Sequence, residues 1–284
     1  MTYDLYIAHQ SYSSWSLRGW LMLEKFDLPY QSHLAGLYTG SFREDLAEVA
    51  PARTVPVMRS PEGGVLFDSL AMGETLAEAH PKAGLWPQNA QARALARSMV
   101  AEMHSGYTSL RSRCPMNLVL AYETPELDEG LEKDLERISQ LWSLARDRFG
   151  GDGPWLFGAY SLADVFFAPV AARIMGYSLP VPDEARAYAM THLTDPAFRR
   201  WRAFGAVHPV SPAPYPMDMP QIPWPGPQSS GAEALEAAPE QAPNCLVTGK
   251  EAAYFLRYQD ETYGFASTDL RDAMCFDPEA FVQP

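Results

Sequence analysis

The sequence predicts an α/β unit, then an all-helical unit, then a small α+β extension. Three observations carry that reading. Residues 1–80 alternate short apolar runs with helix-periodic stretches in the order β-α-β-α-β-β-α, which argues for a layered sheet with mixed strand pairing. Residues 88–208 carry helical periodicity alone, as a helical bundle requires. Residues 244–284 return to strand-like runs after a Pro-rich stretch at 209–243, which reads as an arm or linker.

In the first unit, Leu5-Tyr6-Ile7-Ala8 suits a buried strand. Trp15, Leu17, Trp20, Leu21 and Leu23 follow at helical spacing and stop near Leu28-Pro29. Tyr30 to Leu34 reads as a second strand, and Ser41 to Val49 as a brief acidic helix ended by Ala50-Pro51. Val55-Pro56-Val57 and Val65-Leu66-Phe67 flank a hairpin-like break at Gly63-Gly64. A proline in a β-branched run belongs at an edge or at the start of a strand, because it donates no ladder hydrogen bond; a cis peptide is the natural geometry for it. Asp68-Ser69 then opens the apolar-periodic run Leu70 to Ala77 as a cap and first turn.

His80 to Pro87 is rich in breakers and separates the two units. Asn89 to Arg113 reads as one long amphipathic helix, closed by Cys114-Pro115, and Asp128 to Phe149 as another. Ser161 with Asp164 forms a capping box for a further helix. In the arm, Tyr215, Met217, Met219, Ile222 and Trp224 are too apolar for a free linker and are expected to pack, whereas Gln228 to Gln241 is expected to be flexible.

Bulk properties exclude several classes. The formal charge of −13 argues against a nucleic-acid surface, which needs clustered Lys and Arg. No apolar run reaches the length of a membrane span. The start, Met1-Thr2-Tyr3-Asp4, lacks the basic and apolar regions of a secretory signal. Cys114, Cys245 and Cys275 are odd in number and far apart, as in a reduced, cytoplasmic protein.

The pieces of the first unit combine into a clamp. A proline-bounded strand leaves the Val55 backbone open to pair with an extended ligand. The helix start at Asp68-Ser69 offers N–H groups and a partial positive charge to a carboxylate. This constellation resembles the glutathione-binding half of the glutathione transferase family, and the element order of residues 1–80 matches its thioredoxin-like domain. The resemblance covers about residues 1–207 and implies glutathione as co-substrate, a homodimer, and an active site between the two domains. It implies that Val55 and Pro56 hold the cysteinyl part of glutathione and that Asp68 and Ser69 hold its γ-glutamyl end. Arg53 is placed to meet the glycyl carboxylate.

The first βα turn, His9 to Arg18, holds no cysteine, which removes dithiol redox chemistry. It holds serines. In the serine-type transferases a reactive Ser lies seven positions before an Arg on the first helix, and counting back from Arg18 selects Ser11. Ser13 and Ser14 reach the same turn, so all three stay open. The hydroxyl's task is to donate a hydrogen bond to the glutathione sulfur and favour the thiolate. A Ser cluster before a helix also caps it. For the second substrate, Met103 and Tyr107 share one face of the long helix with Met99, while Arg111 lies on a neighbouring face. The activity implied is conjugation of the glutathione thiolate to a small hydrophobic electrophile. A glutathione-dependent isomerase or lyase, or a non-catalytic glutathione-binding scaffold, would carry the same site.

The extension, from Cys245-Leu246-Val247-Thr248-Gly249-Lys250 to Asp277-Pro278-Glu279, resembles the small metal-binding YHS domain. That family's later cysteines are here Ala266 and Leu270. A metal ion needs about four placed ligands, so the expected module is metal-free.

Overall fold

The computed structural model describes residues 2–37, 40–208, 215, 217–228 and 231–282. These fall into two compact units, Met1–Leu193 with Ser211–Pro225, and Thr194–Val210 with Gly226–Pro284.

The first unit begins with β1 (Tyr3–Ile7), α1 (Ser14–Glu24) and β2 (Tyr30–Leu34). β2 runs parallel to β1, with Tyr3 opposite Tyr30 and Ile7 opposite Leu34. The brief acidic helix is shorter than expected: α2 (Phe42–Asp45) gives way to a 3₁₀ turn at Ala47–Val49. β3 (Val57–Arg59) lies antiparallel on the other side of β1, and β4 (Val65–Leu66) completes a sheet of order β2-β1-β3-β4. α3 (Ser69–Ala79) follows. β1 is central, and its Leu5 and Ile7 are fully enclosed. Crossover helices cover the parallel pair, the arrangement that such pairing demands. This is a thioredoxin-like domain with a mixed sheet.

The helical part departs from expectation at one point. The long segment is two helices, α4 (Ala90–Ser105) and α5 (Thr108–Arg113), broken where Gly106 is extended and Tyr107 adopts a left-handed φ of 55°. A non-glycine residue in that region cannot continue a right-handed helix. The break swings α5 away from the axis of α4, so residues beyond Gly106 leave the face that the 3.6-residue period assigns them. β5 (Ala121–Tyr122), α6 (Glu129–Phe149), α7 (Leu162–Gly176) and α8 (Asp183–Thr194) complete this part. No helix among the described residues is long and apolar enough to cross a membrane.

α7 is the axis of the helical part. All of its residues are buried, and it packs against both α1 and α4. Its N-terminus carries the expected capping box. Asp164 accepts from the Ser161 N–H at 2.9 Å and its hydroxyl at 3.0 Å, from the Leu156 N–H at 3.1 Å, and from the Tyr188 hydroxyl at 2.9 Å. Burial pushes this carboxyl up to about 6, against the pull of the four donors. It is therefore a carboxylate at neutral pH, an acceptor-only group matched to its neighbours.

The second unit begins at α9 (Pro196–Ala206), a helix that composition assigns to the helical domain. The reason is an ion pair. Arg199 forks onto Asp277 at 2.9 and 2.6 Å with both side chains largely buried, and Arg200 donates to the Ala280 carbonyl at 2.9 Å. β7 (Glu233–Leu235), β8 (Tyr254–Tyr258) and β9 (Glu261–Phe265) form an antiparallel sheet on which α10 (Thr268–Phe276) packs, around Leu256, Tyr258, Phe265 and Met274. β7 falls inside the stretch expected to be flexible. The Pro-rich arm expected at 209–243 opens outside the described residues. Its β6 (Gln221–Ile222) pairs with β5 in the first unit, and Trp224 is buried there, as the apolar content requires.

Cys245 is buried and held by several hydrogen-bond donors. Burial opposes its ionisation, yet the Thr248 hydroxyl and the N–H groups of Thr248, Val247 and Ala266 together hold the thiol below its ordinary range. Among the described residues no group of three or more His, Cys, Asp or Glu side chains is placed to hold an ion.

Replacing Asp164 by Ala orphans several buried donors at about 1–3 kcal/mol each. The expected loss in urea unfolding is therefore about 3–5 kcal/mol. Asp164→Asn, which keeps acceptor capacity on one oxygen, should lose less than half as much.

Candidate functional site

The site begins with how α1 starts. The Ser13 hydroxyl caps it, accepting from the Ser16 N–H at 3.3 Å and donating to the Ser16 hydroxyl at 2.8 Å, which in turn accepts from the Ala8 N–H at 3.0 Å. This chain ties the helix N-terminus to the end of β1. Farther along the helix, a Cβ on Gly19 would stand 2.7 Å from Cβ of Pro56. Only glycine lets α1 come this close. The Val55–Pro56 peptide is cis, and the β3 ladder begins at Val57, so the Val55 N–H and C=O are not used by the sheet.

Around this junction lies a cleft of about 720 Å³, open to solvent. Ser13, Ser14, Arg53, Val55, Pro56, Asp68, Ser69 and Arg111, all singled out in the sequence, line it. Ser11, Met103 and Tyr107 do not. Met103 is fully enclosed in the core. Tyr107, at the break between α4 and α5, is buried and donates to Glu102 at 2.9 Å. A larger groove of about 1100 Å³, bordered by Glu132 and Glu136 on α6 and Glu184 on α8, holds none of the predicted residues.

The three serines are not equivalent. Ser11 is enclosed and does not line the cleft; its N–H donates to His9 Nδ1, its carbonyl accepts from the Leu118 N–H, and its hydroxyl has no hydrogen-bond partner among the described residues. The Ser13 proton is committed to Ser16. Ser14 lines the cleft, and its oxygen accepts from Arg173 Nη2 at 3.4 Å. Its own proton is committed to no described group.

At the other wall, Asp68 caps α3, accepting from the Leu70 and Ala71 N–H groups at 2.8 and 3.1 Å. Its second oxygen stands 3.1 Å from His104 Nε2. The neighbouring Ser69 hydroxyl is buried and has no hydrogen-bond partner among the described residues. It therefore sits at the helix N-terminus as a buried donor without an acceptor, a setting for an anionic group. Arg53 is exposed at the rim.

Sequence reasoning named Arg53 and Arg111 but missed two further arginines at this cleft, Arg173 on its lining and Arg18 buried behind it. Arg111 lies 4.3 Å over the Trp15 ring, and Arg18 lies 4.0 Å over the same ring. Arg18 is wholly buried, none of its guanidinium nitrogens has a hydrogen-bond partner among the described residues, and burial drives its pKa well down. Arg173 also lines the cleft. A signal for it exists in the sequence, since a lone Arg in the otherwise apolar run of α7 is a charge that burial permits only for a purpose. Tyr215, whose ring lies 5.1 Å from that of Tyr12, and Met217 close the rim.

Comparison with known proteins gives the family. A family model described as the N-terminal domain of glutathione S-transferases matches residues 12–79. The maleylacetoacetate isomerase of Pseudomonas aeruginosa is 30% identical over 215 residues, covering 74% of this chain and 99% of that protein. The maleylacetoacetate isomerase of Dictyostelium discoideum is 27% identical over 48% of this chain and 68% of its own length. Among solved structures, a glutathione transferase homolog from Burkholderia with bound glutathione has a TM-score of 0.53 at 22% identity, covering 71% of this chain and 96% of its own. A glutathione S-transferase from Rhodospirillum rubrum has a TM-score of 0.52 at 21% identity, covering 74% and 94%. The chain belongs to the glutathione S-transferase family.

Gly19→Ala separates two physical effects. Helix propensity alone would gain about 1 kcal/mol, whereas forcing Pro56 aside costs about 1–3 kcal/mol as overpacking does. The clash wins where the neighbour is a proline ring. The variant should unfold at lower urea and bind glutathione several-fold more weakly by calorimetry; equal or higher stability with unchanged affinity would show that the contact relaxes freely.

Proposed function

We propose that this member of the family binds glutathione in the cleft between α1 and α3, ionises its thiol against the Ser14 hydroxyl, and uses the thiolate to isomerise an unsaturated carboxylic acid. The observation that carries the reading is the convergence of Ser14, the Val55–Pro56 backbone, Asp68–Ser69 and Arg111 on one cleft. Ser14 is preferred over Ser11 and Ser13 because it lines the cleft and keeps an uncommitted proton. Val55 and Pro56 meet the cysteinyl backbone, Asp68 and Ser69 the γ-glutamyl end, and Arg53 the glycyl carboxylate.

One hydrogen bond and a helix N-terminus suffice for the ionisation. A free thiol titrates at about 8.5, and one pKa unit is worth about 1.4 kcal/mol. A charge-assisted hydrogen bond supplies about 1.5–3 kcal/mol, and a helix terminus adds several tenths more.

The second substrate is read from Arg111. Its guanidinium is stacked on Trp15, and it makes no ion pair among the described residues. A planar fork in that state suits a substrate carboxylate. The two relatives' names denote isomerisation of a maleyl group, a cis-alkene acid conjugated to a carbonyl. In such a reaction the thiolate forms a C–S bond to one alkene carbon while the π electrons move to the carbonyl oxygen as an enolate. The central bond, now single, rotates. Collapse of the enolate restores the double bond as trans and expels the thiolate, so glutathione is regenerated. A second reading, conjugation to a small hydrophobic electrophile, draws support from the apolar wall of Leu37, Phe42, Phe67 and Met217. The homodimer that the resemblance implies and the cytoplasmic location that the cysteine usage suggests belong to the same proposal.

Thiolate absorbance of bound glutathione tests the activation. Ser14→Ala should abolish it at neutral pH, Ser13→Ala should keep it while costing about 1 kcal/mol of stability as a lost cap, and Ser11→Ala should keep it. A wild-type signal in Ser14→Ala refutes the serine assignment. Turnover then separates the reactions: maleylacetoacetate should isomerise without consuming glutathione, with KM raised about tenfold or more in Arg111→Met, the loss of one charge-assisted contact. Consumption of glutathione by an uncharged aryl halide, with the acid untouched, favours conjugation.

A further inference from the structure

We propose that Arg173 is a positioning residue that orients the Ser14 hydroxyl, turning its proton into the cleft; the inference rests on the reading of Ser14 as the activating group. Arg173 comes from α7, at the end opposite the Asp164 capping box. Its guanidinium is held on two sides by main-chain oxygens: Nε donates to the Cys114 carbonyl at 2.8 Å and Nη1 to the Pro169 carbonyl at 3.0 Å. The remaining arm, Nη2, points at the Ser14 oxygen at 3.4 Å. A planar fork fixed at two points has little freedom left at the third.

The geometry has a chemical consequence. A serine hydroxyl rotates to suit its surroundings, with one proton to give and two lone pairs to receive. A guanidinium cannot accept, so its N–H claims a lone pair of the Ser14 oxygen and the proton must turn elsewhere. The cleft is where an acceptor arrives. Held this way, the hydroxyl does not have to choose a rotamer when the sulfur binds, and the positive charge behind it makes the O–H a stronger donor.

Arg173 is a cation when it does this. Burial lowers it to about 10, and the nearby Arg111 adds to that, while Cys114, Tyr177 and Tyr215 raise it; Arg18 is a further cation coupled to it. It remains protonated at neutral pH. No carboxylate of the described residues pairs with it, and its recorded hydrogen bonds go to two carbonyls and Ser14. An arginine placed only to stabilise α7 needs the carbonyl bonds and has no reason to present its third arm to a cleft-lining serine whose proton is uncommitted.

The test measures the thiol pKa of bound glutathione by ultraviolet titration, alongside glutathione Kd, in Arg173→Gln, Arg173→Lys, Ser14→Ala and Ser14→Ala with Arg173→Gln. Arg173→Lys keeps a cation and one carbonyl bond but cannot span to Ser14, so it guards against a variant that loses its fold. Both single Arg173 variants should raise the thiol pKa by about one unit, lowering kcat/KM at neutral pH about tenfold, with Kd little changed. The double variant should match Ser14→Ala alone, because the arginine acts through the serine. An unshifted thiol pKa in Arg173→Lys, or additive losses in the double variant, overturns the inference. If Ser14→Ala itself leaves the thiolate intact, it is the serine reading that falls, and the two failures are distinct.

Discussion

The cleft depends on one close approach, α1 against Pro56 at Gly19. A strand that starts with proline cannot extend its ladder, and a helix with a side chain at position 19 cannot come near enough to pack on that proline. Together they set the N-terminus of α1 beside the unused backbone of Val55. Neither feature has a function alone. The glycine sacrifices helix propensity and the proline sacrifices a ladder hydrogen bond, and what results is a corner where backbone donors and a helix dipole face the same small volume.

Within that corner the serines divide labour by geometry. Ser13, one residue before the helix, spends its oxygen and its proton on the cap and on the link through Ser16 to β1. Ser11 is enclosed, and its main-chain carbonyl accepts from the Leu118 N–H. The capping chemistry that makes a serine cluster unremarkable in a sequence is therefore real, and it leaves Ser14 as the cleft-lining member whose proton is not used. The arginine that meets Ser14 comes from a helix whose opposite end is fixed by the Asp164 network, so the stability of the helical part and the orientation of a hydroxyl in the cleft share a rigid element.

The thioredoxin-like order, the cis Val55–Pro56 peptide and the caps at Asp68 and Ser161 were legible because each is a local rule: strand and helix periods, the chemistry of proline, side-chain oxygens before helix starts. The break at Gly106-Tyr107 was not. Apolar residues recur at helical spacing on both sides of Gly106, which masks the stop signal that this glycine offers, and the left-handed φ at Tyr107 follows from the tertiary fold. That break accounts for the placement of the substrate residues: Arg111, beyond it, reaches the cleft, while Met103, before it, stays in the core. The same limit applies to α9. Its membership in the second unit comes from an ion pair between residues far apart in sequence, Arg199 and Asp277, which no periodicity can reveal. Arg173 was visible as a charge in an apolar run, but its partner Ser14 lies 159 positions away in sequence.

The electrostatics of the cleft run against those of the whole chain. A net charge of −13 repels an anion at long range, and ordinary ionic strength screens that repulsion beyond roughly 8 Å. Attraction must then come from charges met at contact, and Arg53, Arg111 and Arg173 line the cleft, with Arg18 buried behind the Trp15 ring. Arg18 is the informative one: a wholly buried guanidinium without a hydrogen bond would be prohibitive to maintain, were it not stacked on Trp15 and 5.0 Å from the Phe166 ring centre with the Asp68 charge nearby. Stacking relieves part of the cost, and a ligand anion in the adjoining cleft would relieve more. Buried charges are screened little by salt, so binding of an anionic ligand here is governed by fit within the cleft rather than by steering towards it.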